Sequence, residues 1–538
     1  MTSLRFALAQ HDFRVGAVTD NAHRMGELLA EAAAASATLV AFPELALSGP
    51  VPQDLLRRRD FLDACAEGLA DVVRATAGTA AAVVGTPLRA QDGGLANAAA
   101  WLENGVLSGC AHKRALTDDE RRHFRSGDAL HVTDVGGIRL ACLVGEDIAD
   151  PAVARQAAQA GAELIIASAA ASWWQGAQAI REAELSACAR ASGCAIAWVN
   201  AVGGQDERLF DGASMLVNAD GTVVARAPAF GDALLACRFD AESRTLHAED
   251  WPVTPARDAE ALLHAGLVRG IRDYTRKNGF DDVVLGLSGG IDSALTLALA
   301  VDALGAGHVT AVMLPSRYTS DMSLDGARQQ AEALGVAYDV LPIEPGLEAM
   351  LGTLREAFDG RAVDTTEENL QARIRGMLLM ALSNKHRRLL LCTGNKSEAA
   401  VGYATLYGDM CGGYAPLKDV YKTRVYRLAR WRNGQAAEPV IPWKVIERPP
   451  SAELRDGQTD QDSLPPYDEL DAILESFVEQ ERSEAEIVAA GHDAATVRRV
   501  IGLVRGNEFK RQQGAPGPRV TARGFGSEWR YPITSGWR

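Results

Sequence analysis

The run Val283-Val284-Leu285-Gly286-Leu287-Ser288-Gly289-Gly290-Ile291-Asp292-Ser293 constrains the fold more than any other part of the chain. Its β-rich opening predicts a strand. Two glycines break that strand, and Ala294 to Ala300 resume as a helix. A strand that turns on bare backbone into a helix N-terminus is an anion site, because N–H groups can approach closely and the helix dipole adds partial positive charge. Ser288 and Ser293 bracket the turn and can donate to phosphate oxygens. Asp292 is the odd member: a carboxylate beside phosphate repels it unless a cation lies between them, which points to Mg²⁺. No Gly-Lys-Ser/Thr follows, so this is not a Walker A loop. A plain glycine-rich connector would share the glycine pair but not the ordered strand, hydroxyls and acid.

A chain of 538 residues predicts two to four domains. Its net charge of −15 gives no general affinity for nucleic acid, so anionic ligands must be met by local cations and helix ends. Eight scattered cysteines without a Cys-x-x-Cys argue against a disulfide framework or a zinc site and fit the reducing cytoplasm. Met1 runs directly into a strand, with no signal peptide expected. No apolar run is long enough to span a membrane.

Two halves follow. Residues 1–240 alternate short strands with helices. Strands are expected at 5–9, 39–42, 81–85, 98–102, 138–144, 164–167, 195–199, 214–217 and 233–237, and helices near 20–36, 60–77, 151–160 and 175–191. Turn signals at Glu103-Asn104-Gly105 and at 218–221 predict hairpins, and so a mixed sheet covered by helices. Residues 241–258, polar and carrying Pro252 and Pro255, read as a linker. From 259 to 538 the pattern turns β-α-β. Helices are expected at 259–278, 293–304, 321–334 and 366–386, and strands at 283–287, 309–313, 337–341 and 389–393. This is a doubly wound parallel sheet with the glycine turn after its first strand.

Thr365 and Glu368 have capping-box spacing at the head of the long helix, which then sets Leu370, Ile374, Met377, Leu378 and Ala381 on one face. Asn369 and Arg373 share the opposite side, as they also would on a solvated face. Thr393-Gly394-Asn395-Lys396-Ser397-Glu398 follows a strand end, which in such sheets faces the ligand crevice. There Lys396 suits phosphate and Glu398 suits a second carboxylate for the metal.

These segments, with GYATLYGD, PLKDVYKT (416–423), the stretch 449–471 and NEFKRQQGAPGPRV (507–520), resemble the NAD⁺ synthetase family in family order over nearly all of 261–538. The resemblance implies a PP-loop ATP pyrophosphatase fold of Rossmann-like type, with ATP and Mg²⁺. It implies adenylation of the nicotinate carboxylate of deamido-NAD⁺ (nicotinic acid adenine dinucleotide), followed by amidation to NAD⁺. It carries ATP contacts onto Gly286, Leu287, Ser288, Gly289, Gly290, Ile291, Asp292, Ser293 and Thr393. Metal acids fall at Asp292 and Glu398, and deamido-NAD⁺ contacts at Asn369, Arg373, Glu398 and Lys510. Lys396 and Lys418 are further phosphate candidates.

The first half resembles the nitrilase, or carbon–nitrogen hydrolase, family, whose α-β-β-α sandwich hydrolyses glutamine in two-domain synthetases and supplies ammonia. Glu44 matches the family's base and Lys113 its lysine. The nucleophile position, in a Cys-Glu-Asp pattern, reads Gly145-Glu146-Asp147. Cys142 lies about 10 Å back along the strand at ~3.3 Å per residue, on the opposite face, so it is a poor substitute. After Lys113 the family's tyrosine-bearing loop is shortened. Ser172 is what remains of the glutamine contacts, and a family lysine becomes Gln178. The expectation is an NAD⁺ synthetase fed by free ammonia, with an idle amidase domain in which Glu44 and Lys113 survive as a buried ion pair. Glutamine dependence, as an altered form or with a separate glutaminase, is the alternative. A nitrilase-type hydrolase is a third reading. The resemblance also implies a homo-oligomer, either a dimer through the synthetase domain or an octamer.

Overall fold

The structure is a computed structural model that describes residues 3–90, 93–128, 130–249, 251 and 258–537. It divides into two compact units, Met1–Gln205 with Leu209–Arg257, and Asp206–Arg208 with Asp258–Arg538.

The first unit holds two facing mixed sheets. One has seven strands in the order Thr245–Ala248, Ala233–Asp240, Ser3–Gln10, Leu39–Ala41, Ala81–Arg89, Leu95–Glu103 and Val106–His112. The other has six, in the order Val223–Arg226, Met215–Val217, Ala195–Asn200, Leu164–Ala169, Ile138–Val144 and Val132–Val135. Strand alternation sorts the side chains. Phe6, Leu8, Leu140, Cys142 and Val144 join the core between the sheets. Ala7 and Ala9 pack outward under the helices Val18–Ala34 and Arg59–Ala75, while Ala141 and Leu143 pack under Pro151–Gln159 and Ala177–Ser192. The result is an α-β-β-α sandwich. At the expected hairpin Asn104 and Gly105 both take positive φ (50° and 79°), the two-residue turn that matches strand twist.

The segment read as a linker opens differently: Thr245–Ala248 is a strand paired antiparallel with the end of Ala233–Asp240. Pro252 and Pro255 lie outside the described residues.

The second unit is built on four parallel strands in the order Ala337–Val340, Val309–Met313, Val283–Gly286 and Leu389–Leu391. The strand bearing the glycine turn is internal and fully enclosed, as its unbroken apolar run demands. The last strand stops at Leu391, two residues short of the expected end, which leaves Thr393 in the following loop. The long helix Thr365–His386 is capped by Asp364 and Glu367 rather than by Thr365 and Glu368. Asp364 accepts from Thr366 N at 2.7 Å, and Glu367 accepts from Asp364 N at 2.9 Å. Leu370 and Ile374 pack inward from this helix, but Met377 is 58% exposed. Helices from Tyr467 to Gly506 form a separate core with Phe525 and Trp529. No helix among the described residues is long and apolar enough to cross a membrane, and all eight cysteines are free thiols.

Candidate functional site

In the second unit the glycine turn forms one wall of a cavity of about 280 Å³ at the carboxyl end of the sheet. Gly289 sits at φ +80°, where a Cβ would stand 2.5 Å from the Ser323 carbonyl oxygen, so only glycine fits. Gly290 is the N-cap of the helix Ile291–Leu304. The two hydroxyls of the turn pair with one another: Ser293 Oγ accepts from Ser288 N at 3.2 Å and lies 3.0 Å from Ser288 Oγ.

Across the cavity Asp292 and Glu398 converge on a residue that the sequence had not singled out. Lys422 Nζ lies 2.6 Å from Asp292 Oδ2 and 3.1 Å from Glu398 Oε1, over the Tyr467 ring at 5.3 Å. Burial opposes the charge on Lys422, but Asp292 and Glu398 outweigh it and hold the amine protonated. Burial pushes the Glu398 carboxyl up to about 7 against the pull of Lys422. Two carboxylates facing one cation are a hard-oxygen donor pair of the kind Mg²⁺ takes, and the ammonium marks the place where positive charge is wanted. The residues therefore fit the metal. Thr393 and Arg375 also line the cavity, which has Val312, Met313 and Leu314 along one side. Arg375 donates from Nε to the Leu314 carbonyl at 2.9 Å, and burial lowers it to about 10.

Three lysines expected at the ligand are engaged elsewhere. Lys396 is fully buried, with Nζ 2.7 Å from Asp419, 3.0 Å from Glu479, 2.6 Å from Thr521 Oγ1 and 2.9 Å from the Arg523 carbonyl. These four partners make it a structural node. Lys418 pairs with Glu207 at 3.3 Å. Lys510 Nζ donates to the carbonyls of Gly402 and Ala404 at 2.8 and 2.9 Å. Asn369 accepts from Thr405 Oγ1 at 2.9 Å, and Arg373 Nε donates to the Leu406 carbonyl at 3.2 Å. Asn369, Arg373 and Lys510 thus converge on the segment 402–406, whose Tyr403 lines the cavity.

The first unit carries the amidase-like constellation. Glu44 Oε1 accepts from Lys113 Nζ and from Asn97 Nδ2, each at 2.7 Å, and Oε2 accepts from Ala170 N at 3.0 Å. Lys113 also meets Glu120 at 2.6 Å and makes an ion pair with Glu146. Burial lifts Glu44 to about 7, whereas its three carboxylate neighbours keep Lys113 charged despite burial. Gly145 follows the strand Ile138–Val144 at φ +55°. A Cβ there would stand 2.6 Å from Lys113 Nζ and 2.8 Å from Glu44 Oε2. Cys142 lies in the core between the sheets, its thiol pushed up to about 12 by burial, and cannot replace a nucleophile at 145. Ser172 forms a backbone bridge with Phe210. Gln178 donates to Asp211 Oδ2 at 3.0 Å, on a carboxylate already held by Arg181. Glu120 and Asn97 were missed by the sequence reading; the only hint was the acid placed seven residues after Lys113 in the shortened loop.

A nitrilase-like sandwich joined to a PP-loop nucleotide domain defines a carbon–nitrogen ligase with an attached amidase-type unit. Residues 5–246 match the carbon–nitrogen hydrolase family and residues 263–514 match NAD synthase. The chain is 52% identical over 543 residues to a glutamine-dependent NAD(+) synthetase of Xanthomonas campestris pv. campestris, covering 99% of this chain and 98% of that protein. It is 49% identical to one from Xylella fastidiosa, with 99% of each covered. The crystallised glutamine-dependent NAD⁺ synthetase of Acinetobacter baumannii in complex with ADP superposes with a TM-score of 0.81 at 40% identity, covering 100% of this chain and 99% of that one. The chain belongs to the family of two-domain NAD⁺ synthetases, enzymes that form a carbon–nitrogen bond with ATP as substrate.

Proposed function

We propose that this chain makes NAD⁺ from deamido-NAD⁺ with free ammonia as the nitrogen source, through the second unit alone. The observation that carries the reading is Gly145: the nucleophile position has no side chain, and the space beside it is held by Lys113 and Glu44. Without a thiolate at 145 no thioester can form there, and Cys142, three residues back, lies in the core between the sheets.

A nicotinate carboxylate oxygen attacks the α-phosphorus of ATP, and pyrophosphate leaves with the bonding pair. Ammonia then attacks the acyl carbon, a proton leaves the nitrogen, and AMP departs with the acyl–oxygen pair. Most of the catalytic task is positioning and charge neutralisation. The glycine turn and the N-terminal end of the helix Ile291–Leu304 receive the pyrophosphate, with the Ser288 and Ser293 hydroxyls beside them. Thr393 and Arg375 face the same cavity. Lys422 keeps a positive charge between the two acids. Mg²⁺ held by Asp292 and Glu398 would neutralise charge developing on the departing pyrophosphate. The segment 402–406, gripped by Asn369, Arg373 and Lys510, is our candidate for the dinucleotide contact.

A second reading has one specific observation behind it. The relatives matched over nearly their whole length are named glutamine-dependent. That favours glutamine as donor if another route to hydrolysis exists, such as a separate glutaminase. The test measures NAD⁺ formed by the pure chain from deamido-NAD⁺ and ATP, with ammonium or glutamine as sole donor. Turnover with ammonium alone supports the reading, and comparable turnover with glutamine refutes it.

A further inference from the structure

The side chain of Asn395 touches the two acids around Lys422 in two different ways. It is the N-cap of the helix Lys396–Val401, and its Oδ1 accepts from Glu398 N at 3.0 Å. Its Nδ2 donates to Asp292 Oδ1 at 2.9 Å. The other oxygen of Asp292 takes Lys422, which also reaches Glu398. Asn395 is fully buried, so a ligand in the cavity does not touch it.

An N-cap alone does not require asparagine, since serine, threonine and aspartate serve equally well. Holding a carboxylate oxygen while capping a helix requires an acceptor and a donor on two separate atoms, which the asparagine amide offers; a serine or threonine hydroxyl carries both on one oxygen closer to the backbone, and an ionised aspartate has no donor. We propose that Asn395 is a positioning residue for the metal-bearing pair. Its amide nitrogen fixes the carboxylate of Asp292, and its amide oxygen fixes the backbone that carries Glu398. Both acids then present oxygens toward one divalent cation. This inference rests on the reading of Asp292 and Glu398 as metal ligands.

Outer partners of this kind typically change metal affinity by about 10–100-fold when removed. The test is a Mn²⁺ titration of the full-length chain followed by electron paramagnetic resonance, with an ATP analogue that cannot be cleaved between its α and β phosphates. Asn395→Ser keeps a helix cap and loses the bond to Asp292. The expected result is a small fall in the unfolding midpoint from the lost buried hydrogen bond, Mn²⁺ affinity weaker by roughly tenfold, and NAD⁺ formation that recovers when Mg²⁺ is raised. Asn395→Ala loses both contacts and is expected to lower the midpoint as well. Asn395→Thr supplies the same readout if the serine variant does not fold. Wild-type Mn²⁺ affinity in Asn395→Ser overturns the inference. Asp292→Asn, run in parallel, separates the two failures. If it weakens Mn²⁺ binding while Asn395→Ser does not, the positioning role alone is wrong. If neither variant weakens binding, the metal assignment falls and takes the inference with it.

Discussion

A side chain at Gly145 would run into Lys113. Its Cβ would stand 2.6 Å from the Lys113 ammonium nitrogen, in the space where a nucleophile's side chain would have to begin. The lysine is held there by Glu44, Glu120 and Glu146.

Restoring the thiol alone is therefore expected to fail. Gly145→Cys places a β-carbon at φ +55°, a conformation that costs a non-glycine residue about 1–3 kcal/mol, and pushes it against Lys113 and Glu44. The variant should unfold at lower denaturant than the parent and release no glutamate from glutamine. Glutamate release by this single variant would show that the missing thiol is the whole defect.

The buried Glu44 makes a pH prediction with a definite sign. Burial raises its pKa from 4.5 to about 7. Between those values the native state keeps a proton that the unfolded chain has released, so this group's contribution to stability falls as pH rises through the window. Replacing Glu44 by Gln should flatten that part of the stability profile, measured by urea unfolding across the same range. An unchanged slope would contradict the burial account.

Helical geometry explains where Lys396 points. Lys396 and Glu398 lie two residues apart on one short helix, hence about 200° around its axis at ~100° per residue. With Glu398 on the cavity, Lys396 must point away, and it does. Lys422 was out of reach of the same reasoning because no spacing links 292, 398 and 422; the fold brings them together. The parallel strands around 283–286 and 309–313 were legible because they are short, mostly apolar runs rich in β-branched residues. The edge strands Val106–His112 and Val132–Val135 were not. They are half-exposed and carry Ser108, Gly109 and Asp134, which blur any alternation. Asp292, Glu398 and Gly145 stood out in the sequence because each sits in a motif with its own chemistry.

Replacing Lys422 by Gln leaves Asp292 and Glu398 facing each other without their cation. Pyrophosphate release dependent on deamido-NAD⁺ is expected to fall by about 10²–10³, the scale seen when one preorganised charge-stabilising group is lost. Activity within a few-fold of the parent would remove Lys422 from the machinery.

Lys396→Met should act on stability instead. Asp419 and Glu479 would lose their buried partner, a change that typically costs about 3–5 kcal/mol. The fraction that remains folded should keep its KM for ATP, measured at low temperature. A raised KM without loss of stability would restore this lysine as a phosphate contact.

The most direct measurement sets the two nitrogen sources against each other in one reaction. The pure chain is given ATP, deamido-NAD⁺, glutamine labelled with ¹⁵N at its amide and unlabelled ammonium, and the NAD⁺ is weighed by mass spectrometry. A chain whose amidase position is Gly145 should yield unlabelled NAD⁺ only. Label in the nicotinamide amide would mean that this protein draws nitrogen from glutamine, and would contradict the ammonia-fed route.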